Sequence, residues 1–391
     1  MIAHVALVVA IVLVVARLAG EVALRVKQPP VLGELVAGIL LGAIPSQFSR
    51  DVAVDGSIDL LAQLGVLLLL FEVGLESTVR DLLAVGLAAA RVAVLGTLGS
   101  FAVGFGCAHL VLPGASLGTK VFIGASITAT SIGITARVFK DLGGARSVEA
   151  RTILGAAVLD DVLGLVILAL VTGALRDESS GAASLVLLAG KTIVVLGVAI
   201  AVGVKVTPRI FAAATHLRTS AGSAEGGTAQ TSKGVLLALG LSFCFFFSWG
   251  ADRLGLAPII GAFAAGLVLE QQKGLEALVE PIAHFLVPIF FVVMGARADV
   301  RTFANPHTLV LAAALTGAAI LGKMACAPAA GRGTKRLAVA IGMIPRGEVT
   351  LIYASLGLSL HVIDSGVYSA LVLAVVVTTL VTPTALKWSL R

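Results

Sequence analysis

Two adjacent aspartates, Asp160 and Asp161, interrupt an apolar run over 153–171, ILGAAVLDDVLGLVILALV. A run of this length crosses a bilayer as a helix. Each carboxylate at the centre of such a helix costs about 2.5–3.5 kcal/mol on insertion scales. Acids capping a helix end would explain them simply, but apolar or glycine residues flank the pair on both sides. The pair is therefore expected to serve a cation and proton site inside a transporter.

The rest of the chain is built the same way. It is 58% hydrophobic and 13% charged, with a mean hydropathy of +1.06, outside the range of soluble domains. Backbone in lipid must satisfy its own hydrogen bonds, and long apolar runs do so as helices. The 44 glycines suit closely packed membrane helices. Lys+Arg, 28, exceed Asp+Glu, 22, through loop residues; this reports orientation and not nucleic-acid binding. Cys107, Cys244 and Cys326 lie in apolar runs without ligand spacing and read as buried thiols. The first apolar run lacks a cationic leader and a small-residue cleavage pattern, so it reads as a first span. The polar stretch 215–233 reads as a flexible connection, and no soluble domain is expected.

Thirteen spans are expected, near 2–25, 30–45, 57–75, 82–112, 117–140, 148–174, 183–211, 233–252, 256–270, 279–296, 307–330, 335–358 and 364–388. The second and ninth are short. They also match: PVLGELVAGILL over 30–41 and PIIGAFAAGLVL over 258–269 share Pro, Gly, Ala and Gly in register. LFEVGLE over 70–76 and FFVVMGAR over 290–297 follow in the same order. An offset of seven spans, an odd number, turns the second half over and makes an inverted-topology repeat. With the N-terminus outside, seventeen loop lysines and arginines face the cytoplasm, including Arg25, Lys27, Arg137 and Lys335. Only six, Arg50, Lys120, Arg176, Arg253, Arg297 and Arg301, face out. That bias puts the C-terminus inside.

Five cations remain within spans. Arg17, Arg91 and Lys191 lie near span ends and can snorkel. Lys323 lies deep, among small residues, and calls for a carboxylate partner, Asp160 or Asp161. Of the six histidines, His284 alone lies within a span and reads as a satisfied core histidine.

Two spans look broken. SITATSIGIT over 126–135 places hydroxyl residues and a glycine mid-span, and GMIPRGEV over 342–349 places Pro, Gly and two charges there. Unwound backbone at that depth survives where it is buried in protein or lines a cavity. Arg346 and Glu348 are expected either to form an internal ion pair or to contact the ion, and Glu348 to balance helix ends where the breaks cross.

The segments ATSIGITAR over 129–137, ILGAAVLDDVLG over 153–164, LGK over 321–323 and PRGE over 345–348 resemble the NapA-type bacterial sodium/proton antiporters. These belong to the Asp-Asp branch of the monovalent cation:proton antiporter superfamily, and the resemblance covers essentially the whole chain. It implies an all-α polytopic membrane protein with crossed broken helices, working as a homodimer in the cell (inner) membrane. Scaffold helices would lie in 1–81 and 233–296, a mobile core in 82–174 and 307–391, and a linking helix in 183–211. Asp161 would be the ion-binding carboxylate and Asp160 the partner of Lys323, both serving sodium. Thr130 and Ser131 would belong to one crossed helix, Arg346 and Glu348 to the other. No role carries over to Glu72.

The resemblance implies electrogenic antiport of sodium or lithium against protons by an elevator motion, since relatives with Asn-Asp tend to be electroneutral. No cofactor, enzymatic activity or nucleic-acid partner is expected, and no nucleotide motif is present to supply energy. Adjacent aspartates point about 100° apart on a helix, so one can face the lysine while the other faces a cavity. The two titrate as a coupled system. A potassium/proton antiporter of the same superfamily is the nearest alternative, although Kef-type relatives usually carry Gln-Asp. A cation channel needs no charge-neutralising lysine, and intramembrane aspartyl proteases take their aspartates from different helices.

Overall fold

The computed structural model describes residues 2–44, 51–53, 55–76, 86–131, 135–136, 139, 147–176, 190, 228–272, 274–331 and 333–390. The expected linking helix 183–211, with Lys191, lies outside them apart from Gly190. Among the described residues the chain is helical, without strands. The helices are α1 (Ile2–Arg25), α2 (Pro30–Ala43), α3 (Gly56–Glu76), α4 (Leu87–Val111), α5 (Leu117–Ser126) and α6 (Val148–Arg176). They continue as α7 (Thr228–Arg253), α8 (Pro258–Leu269), α9 (Leu275–Ala296), α10 (Pro306–Met324), α11 (Arg336–Gly342), α12 (Glu348–Ser359) and α13 (Ser365–Leu390). Eight of them are long and apolar enough to cross a membrane, and α2, α8 and α12 are shorter apolar helices. The connection expected over 215–233 ends earlier than its composition suggests, because α7 starts at Thr228.

Local chemistry sets several helix starts. Proline opens α2, α8 and α10, where a missing N–H costs nothing. The Asn305 side chain accepts from the His307 N–H at 2.9 Å, and Ser116 caps α5 by accepting from Thr119 N–H at 3.0 Å.

The described residues fall into two units. One comprises Met1–Leu61, Leu82–Val171 and Pro288–Arg391, the other Ala62–Asp81 and Thr172–Val287. The same interlock recurs in each. In the first, α2 crosses α9 so closely that a Cβ on Gly38 would lie 2.2 Å from the Val292 carbonyl oxygen. In the second, a Cβ on Gly266 of α8 would lie 2.2 Å from the Phe71 carbonyl oxygen of α3. One helical turn earlier, Gly33 meets the Ala19 carbonyl of α1, and Gly261 meets the Phe247 carbonyl of α7. Each short helix is thus pressed between the helix before it and a helix from the other half of the sequence. The paired Pro-Gly-Ala-Gly pattern encodes this packing, since only glycine lets backbones approach so far.

Two sequence expectations change, those for His284 and Cys107. His284 is not a core residue: its side chain is 73% exposed on α9, 4.0 Å from Glu280. Arg17, placed where it can snorkel, is exposed and pairs with Glu21 one turn along α1 at 2.8 Å. Cys107 is only half-buried, while Cys244 and Cys326 are buried.

Candidate ion site at the crossed helices

The fifth and twelfth expected spans break where they meet. Helix α5 stops at Ser126, and α11 and α12 leave a gap from Met343 to Gly347. The two extended segments are stitched together. Ser131 N–H donates to the Pro345 carbonyl at 2.9 Å, Thr130 Oγ1 to Met343 at 2.9 Å, and Thr135 Oγ1 to Gly342 at 2.7 Å. The unwound backbone therefore finds partners inside the protein, as its depth requires. Gly347 is needed for the approach, because a Cβ there would lie 2.7 Å from that of Ser131.

Each break leaves a helix end with a partial charge. Carbonyls beyond the C-terminal end of α5 are met by Arg346, which is fully buried. Its Nη1 donates to the Thr128 and Ala129 carbonyls at 3.1 and 2.7 Å, its Nη2 to the Ala319 carbonyl at 3.0 Å. Nη2 also reaches Ser100 Oγ at 3.3 Å. The N-terminal end of α12 carries Glu348 in its first turn, where a carboxylate is favourable, and Ser131 Oγ donates to it at 3.1 Å. Arg346 and Glu348 form no ion pair with each other among the described residues. The internal pair offered by the sequence is replaced by two separate matches, each between a charge and a half-helix end.

Helix α6 brings the aspartates to this crossing. Lys323 of α10 donates to Asp160 Oδ1 at 2.7 Å, and both side chains are wholly buried. Thr97 of α4, which the sequence reading passed over, donates to the same oxygen at 2.5 Å. Asp161 lies beside Glu348 and Asp160 electrostatically. It keeps 8% of its surface exposed where Asp160 keeps none. Asp161 Oδ1 and Asp160 Oδ2 are buried with no hydrogen-bond partner among the described residues. Tyr353 of α12 donates to the Gly164 carbonyl at 2.9 Å and ties α6 to the broken helix. In the other unit, Glu72 has Glu76, Glu276 and Glu280 as charged neighbours.

Residues 9–391 match the family described as sodium/hydrogen exchanger, transmembrane. The chain belongs to this family. Among curated relatives of this exchanger-family chain is the high-affinity Na⁺/H⁺ antiporter NhaS3 of Synechocystis sp. It is 34% identical over 413 residues, covering 95% of this chain and 86% of the relative. The Na⁺/H⁺-K⁺ antiporter GerN of Bacillus cereus is 35% identical over 390 residues, covering 97% of this chain and 95% of the relative. The solved structure of the sodium proton antiporter MjNhaP1 from Methanocaldococcus jannaschii aligns with a TM-score of 0.74 over 99% of both chains. At 17% identity that likeness speaks for the fold.

Proposed function

We propose that this protein exchanges sodium for protons across the cell (inner) membrane, at Asp161 with Asp160. One observation carries the reading. Every other charge at the crossing has a local match: Lys323 with Asp160, Arg346 with carbonyl oxygens, Glu348 with a hydroxyl and a helix N-terminus. Asp161 forms no ion pair among the described residues and keeps an unpartnered buried oxygen. A buried anion in that position is completed by a mobile cation or a proton, and the two compete for it. A small hard cation takes oxygen ligands, which the free Asp161 and Asp160 oxygens supply. Thr130 and Ser131 support the site by fixing the crossing.

Exchange follows if the empty, unprotonated form does not cross the membrane, because an uncompensated charge in the low-dielectric interior is costly. In this reading the core helices within 82–174 and 307–391 carry the site in an elevator motion. Those within 1–81 and 233–296 form the scaffold of a homodimer, with the N-terminus outside and the C-terminus in the cytoplasm. Transport is electrogenic, with more than one proton per sodium. The gradients of sodium and protons supply the energy, without a cofactor.

The name of GerN, which includes potassium, favours potassium/proton exchange as a second reading. Proteoliposomes challenged with Na⁺, Li⁺ or K⁺ across a range of pH, with and without a membrane potential, test both. Sodium-driven proton movement supports the first reading and potassium-driven movement without a sodium response the second. Cation current without coupled proton movement would sink both in favour of a channel.

A further inference from the structure

We propose that Thr97 is a positioning residue, turning Asp160 so that its Oδ2 is left free as a ligand for the transported cation. The inference rests on the exchange reading above and deepens it. Thr97 Oγ1 and Lys323 Nζ, from α4 and α10, both donate to Oδ1 of Asp160, at 2.5 and 2.7 Å. Oδ2 has no partner among the described residues. Lysine alone does not fix this arrangement. Its ammonium carries three rotatable donors on a flexible stem, and it can sit astride both oxygens. The terminal torsion of an aspartate is broad, so one point charge leaves the carboxylate plane loose. A second donor from another helix, on the same oxygen, defines the plane.

Among the buried threonines described, several donate within their own helix, and Thr130 and Thr135 to backbone carbonyls of the other broken helix. Thr152, Thr378 and Thr382 donate to carbonyls four residues earlier in their own helices, each at 2.7–2.8 Å. This is the ordinary use of a helical threonine hydroxyl. Thr97 instead donates its hydrogen bond across a helix interface to a carboxylate. The backbone beneath it is held closely. A Cβ on Gly99 would lie 2.5 Å from the Gly322 carbonyl oxygen, and one on Gly322 would lie 2.4 Å from Ser100 Cα. Gly96 makes room for the lysine stem, since a Cβ there would meet Lys323 Cδ at 3.2 Å. Close packing of the backbone beneath Thr97 fixes where a hydroxyl at position 97 is presented.

The test uses the full-length protein in liposomes and compares the parent with Thr97→Val and Thr97→Ser at one fixed pH. Thr97→Val keeps the shape and removes the donor. The KM for sodium is expected to rise on the order of tenfold, as a lost buried bond to a charged group implies, with a smaller change in maximal rate. Thr97→Ser restores the parental KM. Sodium-dependent shifts in unfolding temperature, which report binding without transport, move in parallel. Thr97→Ala carries the same expectation if the valine variant does not assemble.

An unchanged KM in the valine variant, a lowered maximal rate alone, or a serine variant as impaired as the valine one overturns the positioning role. A parent protein that neither moves protons with sodium nor is stabilised by it overturns the exchange reading, and this inference falls with it. A sodium-responsive parent separates the two failures.

Discussion

If Lys323 and Asp160 act as one buried unit, Lys323→Ala and Asp160→Asn should be strongly non-additive in stability. Both side chains are wholly buried and their charged atoms lie 2.7 Å apart. Removing one partner of such a pair costs about 3–5 kcal/mol, because the other charge is stranded. Arg346 and Asp161 are charged neighbours of both residues. Without Lys323, Asp160 keeps the Thr97 hydroxyl and the nearby guanidinium. Without the Asp160 charge, Lys323 and Arg346 are two buried cations facing each other. Each variant leaves buried like charges together, Asp160 with Asp161 in one and Lys323 with Arg346 in the other, so each should cost about 3.5–4 kcal/mol.

The double variant strands neither partner, so it should lose no more than about 5 kcal/mol, leaving a coupling of about 2–3 kcal/mol. Unfolding of the four proteins in one detergent, at one pH and salt concentration, measures the cycle. Losses that add to within about 0.5 kcal/mol would refute the pairing.

Three further outcomes are expected. Asp161→Asn should abolish sodium-dependent proton movement while leaving a membrane-inserted protein that unfolds near the parental temperature; ordinary exchange would put the site elsewhere. Gly38→Ala should cost several kcal/mol or prevent assembly, because its methyl meets a backbone oxygen, whereas Gly106→Ala, whose Cβ meets nothing within 4 Å, should be neutral or slightly stabilising. In voltage-clamped vesicles the sodium gradient at which proton flux vanishes should move with the imposed potential, since each net charge is worth about 2.3 kcal/mol per 100 mV; a fixed null point means one-for-one exchange.

Much of the architecture was legible because membrane helices need continuous apolar runs and broken ones need unusual residues. Prolines and glycines at 30, 33, 38, 258, 261 and 266 mark two short helices whose packing repeats. The hydroxyl-rich and Pro-Arg-Gly-Glu segments mark the breaks at Ser126 and Gly342. What an apolar run does not reveal is which way each residue faces. His284 looked internal and is exposed, because lipid-facing and protein-facing sides of a span are equally apolar in sequence. Thr97 and Ser100 were missed for a related reason. A single hydroxyl among glycines and alanines carries no periodic signal, and its partners lie 63 and 246 residues away. The partners of Arg346 are largely backbone carbonyls, and these have no side-chain signature at all.

The charges at the crossing also explain why the breaks and the aspartates belong together. An unbroken helix carries its end charges to the membrane surfaces; breaking it brings a negative and a positive end to the middle. Those ends hold Arg346 and Glu348 in place without pairing them with each other. Had Arg346 instead paired with an aspartate, its guanidinium would have taken up carboxylate oxygens that are now free. Because carbonyl oxygens take up its donors, the guanidinium contributes positive potential while leaving carboxylate oxygens free. Lys323 and Thr97 then both donate to one oxygen of one aspartate and leave the other oxygen free. The remainder is an unpartnered oxygen on each of two adjacent carboxylates, the place where the proposed exchange would seat a sodium ion or a proton. A site built this way can hold either ion, and its emptiness is what carries the cost.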